Sequence, residues 1–182
     1  MNLIVVAVAV IFAIARGGRL RDLESVEIKH IWIFPLGLVF MILLNLAKFR
    51  GWMSEEATML AQPGIYCFII AGLILNRHLQ GTLLLAFGTA LNLIVIAANG
   101  GYMPVSPVAL EISGLTSKEL ADVMYLRHTM MDDATRLWFL GDIIPIPWPH
   151  FLRSVGSVGD LVVLVALPVI VWRLFFPKRT VG

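Results

Sequence analysis

Apolar runs separated by short polar clusters mark five helices along the chain: Asn2 to Ala15, Ile31 to Ala47, Ala57 to Leu75, Thr82 to Ala98 and Val158 to Phe176. Each is apolar around its whole circumference, the pattern of a helix surrounded by protein or lipid. A helix needs about 17–25 residues to cross a hydrocarbon core of roughly 30 Å, and the first run is short by that measure. Pro35 lies in the first turn of the second run, where its missing amide costs little. Gln62-Pro63-Gly64 near the start of the third predicts a kink or a broken first turn. In the fourth, Thr89, Asn92 and Asn99 recur on one face.

The pattern changes between the fourth and fifth helices, where residues 99–157 form the one long polar segment. Asn99-Gly100-Gly101-Tyr102-Met103-Pro104 stops the fourth helix, since glycine accepts a left-handed turn and proline cannot extend a helix. Ser106-Pro107 starts a short helix to about Ser113. Thr116-Ser117-Lys118-Glu119 reads as a capping box, and the spacing predicts an amphipathic helix over residues 117–140. On it Asp122, Tyr125, His128, Thr129, Asp132, Asp133 and Arg136 share a polar arc, and Arg127 falls among the methionines of the apolar one. Beyond Gly141, Pro145, Pro147 and Pro149 hold an extended chain, and Trp138 and Trp148 suit the headgroup level. Residues 142–150 are therefore expected to form a lid.

Composition agrees with a membrane setting. Of 182 residues 59% are hydrophobic, with a mean hydropathy of +0.87, against about 45–50% apolar in soluble domains. The formal net charge of +2 is small and dispersed, which excludes a nucleic-acid partner. The lone Cys67 supports neither an internal disulfide nor a thiolate metal site. Arg16, Arg19 and Arg21 follow the first apolar run instead of preceding it, the reverse of a signal peptide. With Lys29, Arg77, Arg173, Lys178 and Arg179 they give one side the basic bias that marks the cytoplasm. The expected fold is all-α: a polytopic bundle of five transmembrane helices plus an amphipathic extracytoplasmic helix. It is placed in the cell membrane with the N-terminus outside and the C-terminus cytoplasmic.

That topology gathers Asn45, Gln62, Asn92, Asn99 and Asp160 in the outer half of the membrane. Polar side chains at such depth either bond between helices or face a wet cavity. Asn92, Asn99, Gln62, Asp160, Asp142, Arg127 and Arg136 are the candidate ligand-binding set. Arg127 must snorkel, pair with a carboxylate such as Asp160, or hold a ligand anion. His128, Asp132 and Asp133 are the catalytic candidates, four or five residues apart on the predicted helix. Paired histidines and an H-E-x-x-H pattern are both lacking, although Asp142 and His150 are further donors, so no metal and no cofactor is expected.

Asn99-Gly100-Gly101-x-Met103-Pro104-Val105-Ser106, Arg136 to Pro145 (R-L-W-F-L-G-D-I-I-P) and Ser157-Val158-Gly159-Asp160 resemble a family of small bacterial membrane proteins catalogued only as a domain of unknown function. The resemblance spans essentially the whole chain and implies a bacterial multi-span membrane protein, with no activity attached. Three readings stand on the residues. One is binding or transport of an amphipathic ligand, a phosphorylated lipid or isoprenoid, in an outward cavity. Another is a membrane enzyme using His128 with Asp132 or Asp133 on such a lipid. The last is an assembly subunit docking through the amphipathic outer helix. Membrane lipid is the expected partner, and the sequence does not identify a protein partner.

Overall fold

The computed structural model describes residues 2–61, 63–115 and 128–176. It is mostly helical: α1 Asn2–Ala15, α2 Ile33–Phe49, α3 Glu55–Ala61, α4 Gly64–Leu75, α5 Thr82–Ala98, α6 Pro107–Ser113 and α7 Val158–Phe175. The long helices follow the apolar runs, because solvation of an unbroken apolar stretch decides its state locally. Pro63 separates α3 from α4; it lacks the amide that a continuous helix would use there. Of these helices α7 alone, at 18 residues, is long and apolar enough to cross a membrane by length and composition. The apolar helices α1, α2, α4 and α5 are shorter.

In space the order is α1, α7, α5, α4, α2. The last helix is thus inserted between the first and the fifth. Gly88 of α5 and Gly159 of α7 make this approach possible: a Cβ on Gly159 would collide with Asn92 Oδ1 and with the Gly88 carbonyl. Where α1 meets α7, Ala13, Val171 and Phe175 form a buried cluster. At this end the buried Asn76 grips the chain before α2, accepting from Lys29 N at 2.6 Å and donating to Lys29 O at 2.8 Å. The Thr82 hydroxyl donates to the Asn76 carbonyl at 3.0 Å.

The helix surfaces are largely apolar, and several polar side chains are buried. Val8, Ile11, Leu43, Leu46, Phe87, Ile94 and Val165 are exposed, while Asn76, Thr82, Thr89, Ser113, Asp142 and Ser157 are buried. Water favours the opposite arrangement.

The polar segment builds two small sheets over the other end of the bundle. In one, β1 (Met103–Val105) pairs in parallel with β2 (His128–Met130), Met103 opposite His128. On the other side of β1, Asp142 bridges to Val105. In the second sheet, β3 (Ile144–Ile146) runs antiparallel to β4 (Ser154–Gly156) and packs with β4 against α6. The α6 helix is capped as its sequence dictates, with Ser106 Oγ accepting from Ala109 N at 3.3 Å and Pro107 in the first turn.

One expectation is overturned here. Of the predicted helix over 117–140, residues 116–127 lie outside the described residues, and 128–140 are not an α-helix. His128–Met130 is a strand, and Asp132 Oδ1 accepts from Ala134 N at 3.0 Å in a turn. Leu137, at φ 52, precedes a 3-10 turn over Trp138–Leu140. The buried edge of β1 offers main-chain bonds that the amphipathic periodicity could not reveal; Met131 N, for example, donates to Val105 O at 2.9 Å. The all-α expectation is accordingly corrected to a mostly helical fold with two small sheets.

Candidate functional site

The motifs of the long polar segment converge where α5 and α7 meet the first sheet. Ser157 and Asp160 form a reciprocal cap on α7: Asp160 N donates to Ser157 Oγ at 2.9 Å and Ser157 N to Asp160 Oδ2 at 3.1 Å. This fixes the Asp160 carboxylate at the helix start, where the helix dipole favours negative charge. Asn92 reaches across from α5 beside the bare Cα of Gly159. Its Nδ2 donates to Asp160 Oδ1 at 2.9 Å and its Oδ1 accepts from Ser157 Oγ at 2.8 Å. The tetrad of hydrogen bonds leaves Asp160 little freedom to turn.

Asp142 comes from a separate segment that is bridged to β1 at Val105. Its amide donates to Pro104 O and its carbonyl accepts from Ser106 N, both at 2.9 Å. Gripped at both backbone groups, the residue is 6% exposed. Its Oδ2 lies 3.6 Å from His128 Nε2, and among the described residues its buried Oδ1 has no hydrogen-bond partner. Burial, and then repulsion from the Asp160 carboxylate, push the Asp142 carboxyl up from 3.8 to about 8. At neutral pH the group is therefore mostly a carboxylic acid, a proton donor held in a dry setting.

Between these side chains lies a cavity of about 130 Å³. Its polar wall is Asn92, His128, Asp142 and Asp160; Pro63, Tyr66 of α4, Ile96 of α5, Gly101 and Met103 supply the rest. Gly101 is required there, since it has φ +94 and a Cβ would strike the Met59 carbonyl. The described lining contains two carboxylates and an imidazole, and neither arginine nor lysine. Among the described residues no group of three or more histidine, cysteine, aspartate or glutamate side chains is placed to hold a metal ion.

Of the residues singled out in the sequence, Asn92, His128, Asp142 and Asp160 meet at this cavity. Gln62 and Arg127 lie outside the described residues, although Pro63, next to Gln62, is part of the wall. Asn99 is engaged otherwise: its Nδ2 donates to Val95 O and Arg136 O at 2.8 Å, and its Oδ1 accepts from Arg136 N at 2.9 Å. It ties the loop to α5. The Arg136 side chain is exposed, as are Asp132 and Asp133. Asp132 caps its own turn with Thr135, so it does not share a face with His128. Asn45 is exposed and bonds back to Met41 O at 2.8 Å. The segment expected as a lid contributes Asp142, its first residue; beyond it the chain is the β3–β4 hairpin. Tyr66 and Ser157 were not anticipated. The S-x-x-D spacing of Ser157 and Asp160 was the signal for the latter, whereas nothing local pointed to Tyr66.

Comparisons with known proteins give relatives without an assigned activity. An uncharacterised protein of Thermotoga maritima is 26% identical over 150 residues, 82% of this chain and 78% of the relative. No solved structure matches the chain. The family profile spans residues 25–172, from the first 3-10 turn to the last helix and across the whole cavity, and by that match the chain belongs to DUF5317, a family of unknown function.

Proposed function

We propose that this chain is a multi-pass membrane protein that binds the polar end of an amphipathic ligand in the acidic cavity at the outer end of its bundle. The observation that carries the reading is the cavity itself, with a buried carboxyl, Asp142, facing a hydrogen-bonded carboxylate, Asp160. Support for the membrane comes from the many large apolar side chains exposed on α1, α2, α5 and α7, since large exposed apolar patches mark membrane or partner contact. Arg16, Arg19, Lys29, Arg77 and Arg173 gather at the end opposite the cavity, the side that the positive-inside rule assigns to the cytoplasm. Five spans, α1, α2, α3 with α4, α5 and α7, put residues 99–157 outside.

Size and charge select the ligand chemistry. At about 130 Å³ the cavity is of the order of one that holds benzene, about 150 Å³. It accommodates a headgroup and no lipid tail. The Asp160 carboxylate in the wall favours an ammonium or another hydrogen-bond donor, and Asp142 adds a second negative charge as its proton leaves toward pH 8; a phosphate would be repelled unless a cation such as Arg127 neutralised it.

Thermal unfolding of the detergent-solubilised protein with decylamine or decyl phosphate tests the choice. A ligand at a hundred times its Kd stabilises by about 2.7 kcal/mol, which is roughly 5–11 °C in a chain of this size. Decylamine should give such a shift, growing as pH rises toward about 8 and a proton leaves Asp142. A shift from decyl phosphate alone would return the site to a phosphorylated ligand and refute the ammonium reading.

His128 beside Asp142 favours a second reading, acid–base catalysis on the bound headgroup, with Asp142 in the role that the sequence gave to Asp132. Recovery of the ligand chemically unchanged after incubation would remove it.

A further inference from the structure

A second recess lies at the opposite end of the bundle, in the outward face between α1 and α7. It measures about 340 Å³ and is lined by Ala9, Phe12, Pro168, Val169, Trp172 and Arg173. The floor is apolar because Ala9 is small and Pro168 carries no long side chain. The walls are aromatic, with the Phe12 and Trp172 ring centroids 6.1 Å apart. The Arg16 guanidinium stands 4.9 Å over the Phe12 ring, and Arg173 closes the recess one turn of α7 below Pro168 and Val169. Among the described residues neither arginine is paired with a carboxylate. In the turn that follows α1, Asp22 accepts from Arg19 N at 3.0 Å.

We propose that this groove binds one anionic glycerophospholipid of the cytoplasmic leaflet, an acyl chain lying along Phe12, Val169 and Trp172 and the phosphate between Arg16 and Arg173. Charge complementarity selects the occupant. An apolar trough open to the hydrocarbon is filled by any acyl chain, but two guanidiniums at its rim, without a carboxylate partner among the described residues, distinguish an anionic headgroup from a zwitterionic one. Guanidinium is suited to this because its planar fork bonds phosphate oxygens in pairs while its face rests on an aromatic ring. Stacking on Phe12 also holds Arg16 at the rim before a lipid arrives, which lowers the entropy lost on binding. The inference rests on the membrane reading above and is independent of the acidic cavity.

The test uses the full chain in detergent micelles, analysed by native mass spectrometry with phosphatidylglycerol and phosphatidylcholine of equal chain length at equal concentration. Each basic side chain near an anionic headgroup is worth about a fivefold preference, so the two together predict roughly twenty-five-fold retention of phosphatidylglycerol. Arg16→Gln and Arg173→Gln should each reduce the preference about fivefold, and the double variant should abolish it while still binding both lipids weakly. Both positions are at the surface or half-buried, so folding is not at stake. Equal retention of the two lipids by the parent, an unchanged preference in the double variant, displacement of phosphatidylglycerol by inorganic phosphate, or a mass of two chains with the groove closed between them would each overturn the proposal. Sodium carbonate washing of membranes separates the two levels. A chain that washes off refutes the membrane reading, whereas a chain that stays but shows no headgroup preference refutes this inference alone.

Discussion

Replacing Asp142 with asparagine should make the protein more stable at alkaline pH, and the effect follows from its burial. In the folded chain the carboxyl holds its proton to about pH 8, against 3.8 for an aspartate free in water. Between those values the folded state binds more protons than the unfolded state, so stability falls as pH rises. The folded pKa is raised. The stabilising protonation is therefore fully present below about pH 4 and is lost progressively until the folded group itself ionises near pH 8. Each pH unit is worth about 1.4 kcal/mol, so the whole window costs on the order of 5 kcal/mol. Asparagine is nearly isosteric and never ionises. Its advantage over the parent should be small near pH 5 and grow to about 4 kcal/mol near pH 8. In a chain of this size that is roughly 8–16 °C in Tm. Thermal unfolding of parent and variant in the same detergent across this range gives the difference curve. His128, which faces Asp142 at 3.6 Å, and Asp160 are the groups that shape the midpoint. Asp160→Asn removes one of the two causes that raise Asp142, so the carboxyl should ionise at lower pH and the loss of stability should level off earlier than in the parent. Parallel curves for parent and Asp142→Asn would refute the argument, since they would show that Asp142 is charged throughout and solvated by something other than the wall described.

Three further outcomes follow from packing and topology. Gly159→Ala places a methyl against Asn92 Oδ1 and the Gly88 carbonyl, an overpacking that should cost about 1–3 kcal/mol; an unchanged Tm would mean that α5 and α7 are not in close contact. Asn99→Ala removes the bonds to Val95 and Arg136, each worth about 0.5–1.5 kcal/mol, and hydrogen exchange should quicken at Arg136 and Leu137 but not at Asn76. In a Cys67→Ala background, an impermeant maleimide should label Ala134→Cys in intact cells and spare Gln80→Cys, both exposed positions at opposite ends of the bundle; the reverse pattern would invert the topology and place the acidic cavity inside.

What the sequence determined by itself was local. The helices follow from uninterrupted apolar runs, and their ends from Pro63, Gly64 and the Asn99 to Pro104 turn, because solvation and backbone freedom act over a few residues. The alternating prolines gave an extended segment for the same reason: proline fixes its own φ wherever it stands. Tertiary structure decided the rest. The polar arc drawn for 117–140 fails over 128–140, since the β1 edge competes for that backbone and a helical wheel contains no information about an edge 25 residues upstream. The pairing of His128 with Asp142 instead of Asp132, and the burial that raises Asp142, both depend on where β1 puts that backbone. Likewise Asn92 and Asp160, 68 residues apart, meet only because α7 inserts between α1 and α5. Helix formation reads the chain's own composition. A site made from six separate segments reads their packing, which is a property of the whole bundle.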